Sequence, residues 1–374
     1  MLNDLQRTLS TARADHDLLE QSRRLTDRVA DALVVDGFAR HFVPERWKGC
    51  AGTFTALLDA ASSVAETCAS TAWCASLYAA HGRLASYLPE AGQRELWGRT
   101  PDVCVAASVV PPQGNAERVD GGWRVFGEWT MASGVDHADW VLLASWGEGT
   151  DGAARESRVF AVRRLDVKVR DTWHPVGLRG TGSNTVEADV FVPGHLSFTV
   201  RDLARAQPHA ARCHTVPYPL VAGLVFAAPV LGAAEGTLRH WWSQQCLRVR
   251  PDGSTAAEQP PQQRVLAKVS ANIQSARLLL ERAAQRADTA PITPLLAAEN
   301  QRDVAAAVEL CGTAADEMLH SAGARALEDT NPLQRSWRDI TAARAHGTLN
   351  FEAAATTYAR ARLAARTVDL EGAR

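Results

Sequence analysis

The amino-acid sequence predicts an α+β protein that is mainly helical, with a helical domain, then a small antiparallel β domain, then a four-helix bundle. Three observations predict this order. Apolar residues recur at helical intervals in the first hundred residues, short β-branched and aromatic runs follow, and long Ala- and Leu-rich segments occupy the rest. We place the three domains at residues 1–102, 103–200 and 201–374.

Two segments define the first domain as helical. Residues 53–72 are rich in Ala, Leu and Val, and Pro89 followed by Glu90 begins a short amphipathic stretch that ends near Trp97. The pattern changes after Pro101, where strand-like runs begin.

The β domain is predicted from short runs that Gly, Pro, Asp and Asn interrupt. These runs are VCVAASVV, RVDGGWRVFGEWT, WVLLASW, RVFAVRRL and VEADVFVP, all between residues 103 and 198. Asp120 and Gly121 stand between two alternating runs, which is a hairpin signal. Strands of this number and length favour a small, mostly antiparallel barrel or sandwich.

The last domain is predicted to be a four-helix bundle. Helical patterns cover residues 220–247, 262–287, 294–325 and 332–366, with Pro- and Gly-containing connections between them. Long helices with short links pack as antiparallel neighbours.

Composition excludes several classes of function. The 374 residues carry a formal net charge of −2, with 46% hydrophobic and 22% charged residues, so the basic excess of a nucleic-acid-binding protein is absent. The seven cysteines are scattered and form no CxxC motif, which argues against a disulfide framework or a zinc site. No signal peptide is recognised and no run approaches the ~20 apolar residues of a membrane span. We therefore expect a cytoplasmic protein without a membrane, nucleic acid or metal as partner.

Two segments of the β domain are candidates for ligand contact. The run GLRGTGSN (177–184) leads into a strand instead of opening a helix, so it is not a dinucleotide-binding loop. In GEWTMASGVDHADW (127–140), small residues would let a flat ligand approach the backbone. For each segment, an ordinary β-turn and a ligand-facing loop remain open interpretations.

His346 stands near the end of a predicted helix. Asn331 is a suitable N-cap with Pro332 in the first turn, and Gly347 is placed as a left-handed stop residue. At a helix C-terminus the macrodipole favours a cationic imidazolium. Simple capping and a catalytic role are both consistent with this position.

Five segments, in order along the chain, resemble the acyl-CoA dehydrogenase superfamily. They are VPERWKGCAG, STAWCASLYAAHG, VAASVVPPQGNA, GEWTMASGVDHADW and PVGLRGTGSNTVEADVFVP. The fourth occupies the place of the family's strand against the flavin ring. The resemblance covers nearly the full chain and implies the same three-domain order and a homotetramer.

One departure and one further match indicate the branch. Where dehydrogenases commonly carry a glutamate in a Y-E-G-T loop, this chain has Ala345-His346-Gly347-Thr348. The segment PLQRSWRDITAARAH, together with the two β-domain candidates, resembles two-component flavin-dependent monooxygenases. That resemblance implies reduced FMN or FAD delivered by a separate NAD(P)H:flavin reductase, without need of a stable complex, and O2 as co-substrate. It also implies a C4a-hydroperoxyflavin that oxygenates a small aromatic or amine substrate. An acyl-CoA dehydrogenase or oxidase and a non-catalytic flavin-binding protein are the alternatives.

The same resemblance assigns residues to roles. His346 is the expected catalytic residue, since an imidazole transfers protons near neutrality, and it also contacts the substrate, with His81 as a second contact. The expected cofactor-binding residues are Ser108, Trp129, Met131, Ala132, Ser133, Thr181, Ser183, Arg248, Arg250, Gln263 and Arg335. The last four would contact flavin phosphate or ribityl groups, some of them from a neighbouring subunit.

Overall fold

The computed structural model describes residues 2, 4–149, 155–204 and 210–372, and it divides the chain into two compact units. The first unit comprises Met1–Leu57, Trp73–His174 and Arg179–Tyr218; the second comprises Leu58–Ala72, Pro175–Leu178 and Pro219–Arg374. The division into three domains stays a prediction, and its outer limits, residues 1 and 374, lie outside the described residues.

Among the described residues, six α-helices precede the sheet, and the helical character predicted for this part of the chain is confirmed. They are α1 (Gln6–Ala14), α2 (His16–Ser22), α3 (Asp27–Val35), α4 (Phe54–Ala65), α5 (Ala69–Ala85) and α6 (Glu90–Trp97). Thr26 caps α3 by accepting a hydrogen bond from the Val29 N–H. The short helix expected after Pro89 is confirmed, with its end at Trp97.

The described strands form one eight-stranded sheet. They are β1 (Val105–Ser108), β2 (Gly114–Val119), β3 (Gly122–Ala132), β4 (Trp140–Gly147), β5 (Glu156–Arg163), β6 (Lys168–Arg170), β7 (Asn184–Pro193) and β8 (Ser197–Thr199). The order is β6-β7-β3-β2-β4-β5-β8, and β1 also pairs with β4. Both β1 and β2 run parallel to β4, and the other pairs are antiparallel.

The predicted hairpin at Asp120 and Gly121 is confirmed. Val119 on β2 pairs with Gly122 on β3, and Gly121 has a φ of 75°, which suits glycine at a tight turn. Strands β6 and β8 were not predicted, because three residues are too few to show an alternating pattern.

Long helices build the second unit. After the short α7 (Arg212–Thr215) in the first unit come α8 (Tyr218–Leu247), α9 (Pro260–Thr289), α10 (Pro294–Ala322), α11 (Pro332–Arg344) and α12 (Phe351–Gly372). The segment predicted as the fourth helix is two helices, which a 3₁₀ turn at Gly347–Leu349 separates. The α+β, mainly helical class is confirmed.

Helix α8 is more apolar than we expect from the absence of a run of ~20 apolar residues. It is long and apolar enough, by composition alone, to cross a membrane, with a mean hydropathy of 1.6 over 18 residues. In the structure 83% of that window is buried. Gly232 lies against the Ser62 carbonyl, where a Cβ would come within 1.9 Å of the oxygen. These are the features of a core helix.

Candidate active site

Strand β3 ends in an irregular segment. Its register with β7 breaks between Trp129 and Ala132, and Met131 within the break has a left-handed φ of 60°. A non-glycine residue in this conformation costs about 1–2 kcal/mol. Met131 is also 69% exposed. A strained, exposed apolar residue favours a ligand-facing segment over an ordinary turn.

Gln113 holds the irregular segment by both ends of its carboxamide. Its Oε1 accepts hydrogen bonds from the N–H and the hydroxyl of Thr130 at 3.0 and 2.9 Å. Its Nε2 donates to the Ser108 hydroxyl at 3.0 Å, and that hydroxyl donates to the Thr130 carbonyl at 2.9 Å. The backbone immediately before Met131 is therefore fixed.

Three buried hydroxyl groups lie together next to the irregular segment. Ser133 Oγ lies 2.7 Å from Ser183 Oγ, which lies 2.7 Å from Thr181 Oγ1. The indole Nε1–H of Trp73, on α5, donates to Ser133 Oγ at 3.2 Å. All four side chains are buried. We call Thr181, Ser183 and Ser133 the hydroxyl chain.

Tyr78 and Gly134 hold the backbone beside the hydroxyl chain. The Gly134 N–H donates to the Thr181 carbonyl at 2.8 Å, and the Tyr78 hydroxyl donates to the Gly134 carbonyl at 2.7 Å. Burial raises the pKa of Tyr78 well above its usual value, so its hydroxyl keeps the proton that it donates. Gly134 has a φ of 70°, and a Cβ there would lie 2.7 Å from the Tyr78 oxygen. Only glycine suits this position.

The glycine-rich run contains a tight turn. Arg179–Thr181 form a 3₁₀ turn, and Gly182 follows with a φ of 53°. Within the second unit, Gly177 lies against the Arg338 backbone, and the Leu178 N–H donates to Asp339 Oδ1 at 2.6 Å. Because the turn delivers Thr181 and Ser183 to Ser133, it is linked to the irregular segment that ends β3.

Trp129 supports the irregular segment from inside the sheet, and Ala132 is the residue at which that segment ends. Both are fully buried. The Trp129 indole N–H donates to the Ala144 carbonyl at 2.8 Å, and its ring fills the space where a Cβ at Gly114 would otherwise lie.

His81 is a buried histidine on α5. Its Nδ1 lies 2.9 Å from the Val105 carbonyl, and burial lowers its pKa to about 4. The neutral ring therefore donates from Nδ1 and keeps a lone pair on Nε2. Its role as a substrate contact stays a prediction.

His346 lies in the second unit, just after α11. Its ring stacks on Phe226 of α8, with centroids 3.9 Å apart and planes at 28°. Nδ1 accepts a long hydrogen bond from the Thr348 N–H at 3.3 Å. Burial lowers the pKa of His346 to about 4, so the imidazole is neutral at pH 7. A neutral ring that accepts at Nδ1 carries its proton on Nε2.

Two expectations about His346 were wrong. The helix ends at Arg344, and Gly347 begins a 3₁₀ turn instead of taking a left-handed stop conformation. The cationic form is not favoured either, because a helix dipole contributes about 0.3–1 kcal/mol and burial outweighs it.

The predicted helix start is confirmed, since the Asn331 side chain accepts from the Leu333 N–H at 2.9 Å.

The predicted phosphate contacts all lie in the second unit and stay predictions. Arg248, Arg250 and Gln263 are exposed, and Arg335 is half-buried in the first turn of α11. Arg248 Nη1 donates to the Ala322 carbonyl at 3.4 Å.

Sequence reasoning missed Trp73 and Gln113. Both hydrogen-bond to residues of the irregular segment or the hydroxyl chain that are distant along the chain. Trp73 lies in STAWCASLYAAHG and Gln113 in VAASVVPPQGNA, two of the segments that carry the family resemblance. That coincidence is the signal by which they could have been found.

Known proteins resemble the chain over almost its full length. A family model described as acyl-CoA dehydrogenase, C-terminal domain, matches residues 224–351. The chain is 33% identical to the oxygenase subunit HsaA of a flavin-dependent monooxygenase from Rhodococcus jostii, covering 94% of each chain. It is 31% identical to the oxygenase component of an FADH2-dependent resorcinol hydroxylase from a Rhizobium species, covering 90% of this chain and 87% of the relative. The structure of XiaF from a Streptomyces species, in complex with FADH2 and glycerol, matches with a TM-score of 0.90 at 26% identity, covering 97% of this chain and 96% of XiaF.

Proposed function

The chain belongs to the two-component flavin-dependent monooxygenases with the acyl-CoA dehydrogenase fold, and we propose that its substrate is a small phenol. It is an oxygenase component that uses reduced flavin and dioxygen, and a separate reductase is its functional partner. The proposed reaction converts phenol, dioxygen and reduced flavin into hydroxylated phenol, water and oxidised flavin. NAD(P)H as the reductant of that partner, a homotetrameric assembly and a cytoplasmic location belong to the same proposal.

The neutral His346 carries the proposal of a phenol. The segment around it occupies the place where dehydrogenases commonly carry a glutamate, and an imidazole with a pKa of about 4 is unprotonated at neutral pH. As the phenol ring attacks an activated oxygen, positive charge develops on the ring and its hydroxyl becomes strongly acidic. The unprotonated imidazole, although a weak base, would take the hydroxyl proton at that stage. The resorcinol hydroxylase among the relatives acts on a phenol, as its name says.

Proton transfer to His346 requires a change of tautomer. The hydrogen bond that Nδ1 accepts assigns the ring proton to Nε2, so accepting another proton there requires the first to move to Nδ1. Nδ1 then loses the hydrogen bond from the Thr348 N–H. That bond is 3.3 Å long, beyond the usual range for N–H donors, so its loss costs little.

The irregular segment and the hydroxyl chain fit a flavin ring. Met131 offers an exposed apolar side chain, and Ser133 keeps 7% of its surface accessible. Hydroxyl groups donate and accept, which suits the nitrogen and oxygen atoms at the edge of the ring. Bound reduced flavin would supply two electrons and activate dioxygen. Ser108 and Trp129 would hold the segment, and Arg248, Arg250, Gln263 and Arg335 would contact phosphate or ribityl groups.

Rapid mixing tests the proposal. The protein, loaded anaerobically with FADH2 or reduced FMN, is mixed with oxygenated buffer, with and without a panel of phenols. We expect a transient absorbance distinct from both stable flavin states, and a product that carries one ¹⁸O atom from labelled dioxygen. Reoxidation at the rate of flavin in solution, with no such transient, would contradict the proposal. Turnover of amines but not of phenols would reject the substrate class alone.

A further inference from the structure

The hydroxyl chain ends at a fixed hydrogen-bond donor, Trp73, but the direction of the hydrogen bonds between its hydroxyl groups can reverse. Each hydroxyl has one hydrogen to donate and two lone pairs that accept, whereas an indole N–H only donates. Trp73 therefore occupies one lone pair of Ser133 Oγ permanently, at 3.2 Å. The two 2.7 Å contacts between Thr181, Ser183 and Ser133 each allow either oxygen to be the donor.

Two arrangements of the hydroxyl hydrogens are compatible with the same oxygen positions. In the first, Ser133 donates to Ser183 and Ser183 donates to Thr181, so Ser133 keeps one lone pair for a ligand. In the second, the direction is reversed, and Ser133 accepts from both Trp73 and Ser183. Its own hydrogen is then directed to the ligand. Hydroxyl hydrogens rotate without displacing the heavy atoms, so the two arrangements interconvert without any movement of the three oxygens.

A flavin needs both arrangements, because its N5 carries a hydrogen when reduced and a lone pair when oxidised. We propose, on the basis of the proposed flavin site, that Thr181, Ser183 and Ser133 form a reversible relay with Trp73 at its fixed end. The relay lets Ser133 accept from N5–H of the reduced flavin and donate to N5 of the oxidised flavin. Ser183 and Trp73 are positioning residues in this scheme, since they act through Ser133.

The relay assigns different effects to its members. Without the Ser183 hydroxyl, Ser133 facing reduced flavin has no acceptor there for its own hydrogen. A buried donor without a partner is costly, whereas Ser133 facing oxidised flavin still donates to N5. Loss of the Trp73 N–H removes a hydrogen bond that both arrangements use. Ser183 therefore sets the preference between redox states, and Trp73 does not.

Equilibrium binding of the two flavin states tests the relay without measuring turnover. The dissociation constant of FADH2 is measured anaerobically by ultrafiltration and that of FAD by fluorescence, for the wild-type protein and each variant. We expect Ser183→Ala to weaken FADH2 binding about tenfold and FAD binding much less. A tenfold change in that ratio lowers the midpoint potential of the bound flavin by about 30 mV. Thr181→Val should shift the ratio in the same direction by a smaller factor.

Two control variants separate the outcomes. Trp73→Phe should weaken both redox states equally. Ser145→Ala removes another buried hydroxyl of the sheet, one with no hydrogen-bond partner among the described residues, and should change neither constant. An unchanged ratio in Ser183→Ala, or an equal shift in Trp73→Phe, overturns the relay while leaving the flavin site intact. A wild-type protein that binds neither state overturns the flavin site and the relay together.

Discussion

The hydroxyl chain in the first unit and His346 in the second unit hold their polar atoms differently. Ser133 Oγ takes part in contacts of 3.2 and 2.7 Å, and Tyr78 and Gln113 fix the backbone on either side. His346 Nδ1 accepts from the Thr348 N–H at 3.3 Å, and the ring face packs on Phe226. The contacts that hold Ser133 include a short one of 2.7 Å, whereas the Nδ1 contact of His346 is long and its ring stacks on Phe226.

The difference matches the two tasks that we propose. A group that binds a large planar cofactor benefits from fixed heavy atoms, because only hydrogens then need to move. His346 must change tautomer before it accepts a substrate proton at Nε2, and a strong hydrogen bond at Nδ1 would oppose that change. The length of these hydrogen bonds therefore distinguishes the positioning group from the proton-transfer group in this chain.

Replacement of His346 should have the largest effect. His346→Asn keeps a polar side chain but cannot take a proton, so we expect product formation to fall by about 10²-fold or more. FADH2 affinity should be unchanged, and reducing equivalents should appear as hydrogen peroxide, measured with a peroxidase assay. His320→Asn, at an exposed histidine on α10, is the control and should leave coupling intact. If His346→Asn unfolds the protein, the histidine is structural and the contrast between the two regions fails.

Gly134→Ala should disrupt the rigid region. The added Cβ meets the Tyr78 oxygen at 2.7 Å, and the φ of 70° is itself strained for alanine. Together these should cost about 3 kcal/mol of unfolding free energy, measured by urea denaturation. Gly121→Ala is a matched control, since its φ is 75° and its nearest atom is 3.9 Å away, so it should lose only about 1 kcal/mol. Tyr78→Phe combined with Gly134→Ala should recover part of the loss; no recovery would argue against the steric cause.

Hydrophobic periodicity predicts much of the fold, but it does not predict the hydrogen bonds of the candidate site. Helices α8 to α10 were predicted to within three residues at each end, because their apolar pattern extends over many turns. Trp73 and Gln113 were missed, since a hydrogen bond across 60 or 17 residues leaves no local pattern. The neutral state of His346 depends on burial beside Phe226, which helix logic near Gly347 does not reveal.

The buried His81 should make the first unit sensitive to acid. Its folded pKa is about 4, below the usual 6.5, so between these values the unfolded chain binds a proton that the folded chain does not. Stability is therefore present above pH 6.5 and is lost as the pH falls towards 4. At pH 5 the loss is about 2 kcal/mol. Urea unfolding at pH 7 and pH 5 should show a smaller pH difference in His81→Asn than in the wild type. His174→Asn, at an exposed site, should behave as the wild type.

Met131→Gly should separate stability from binding at the irregular segment. Glycine relieves the left-handed strain at a φ of 60°, so the unfolding free energy should rise by about 1 kcal/mol. The same change removes the exposed apolar side chain that we place against the flavin, so FADH2 affinity should fall about fivefold, equivalent to about 1 kcal/mol. Lys48→Gly is the control, since Lys48 is exposed with a φ of 65°, and it should gain stability without changing affinity. If the wild type and Met131→Gly bind FADH2 with equal affinity, Met131 does not contact the flavin. Ligand binding would then not account for the strained backbone at Met131.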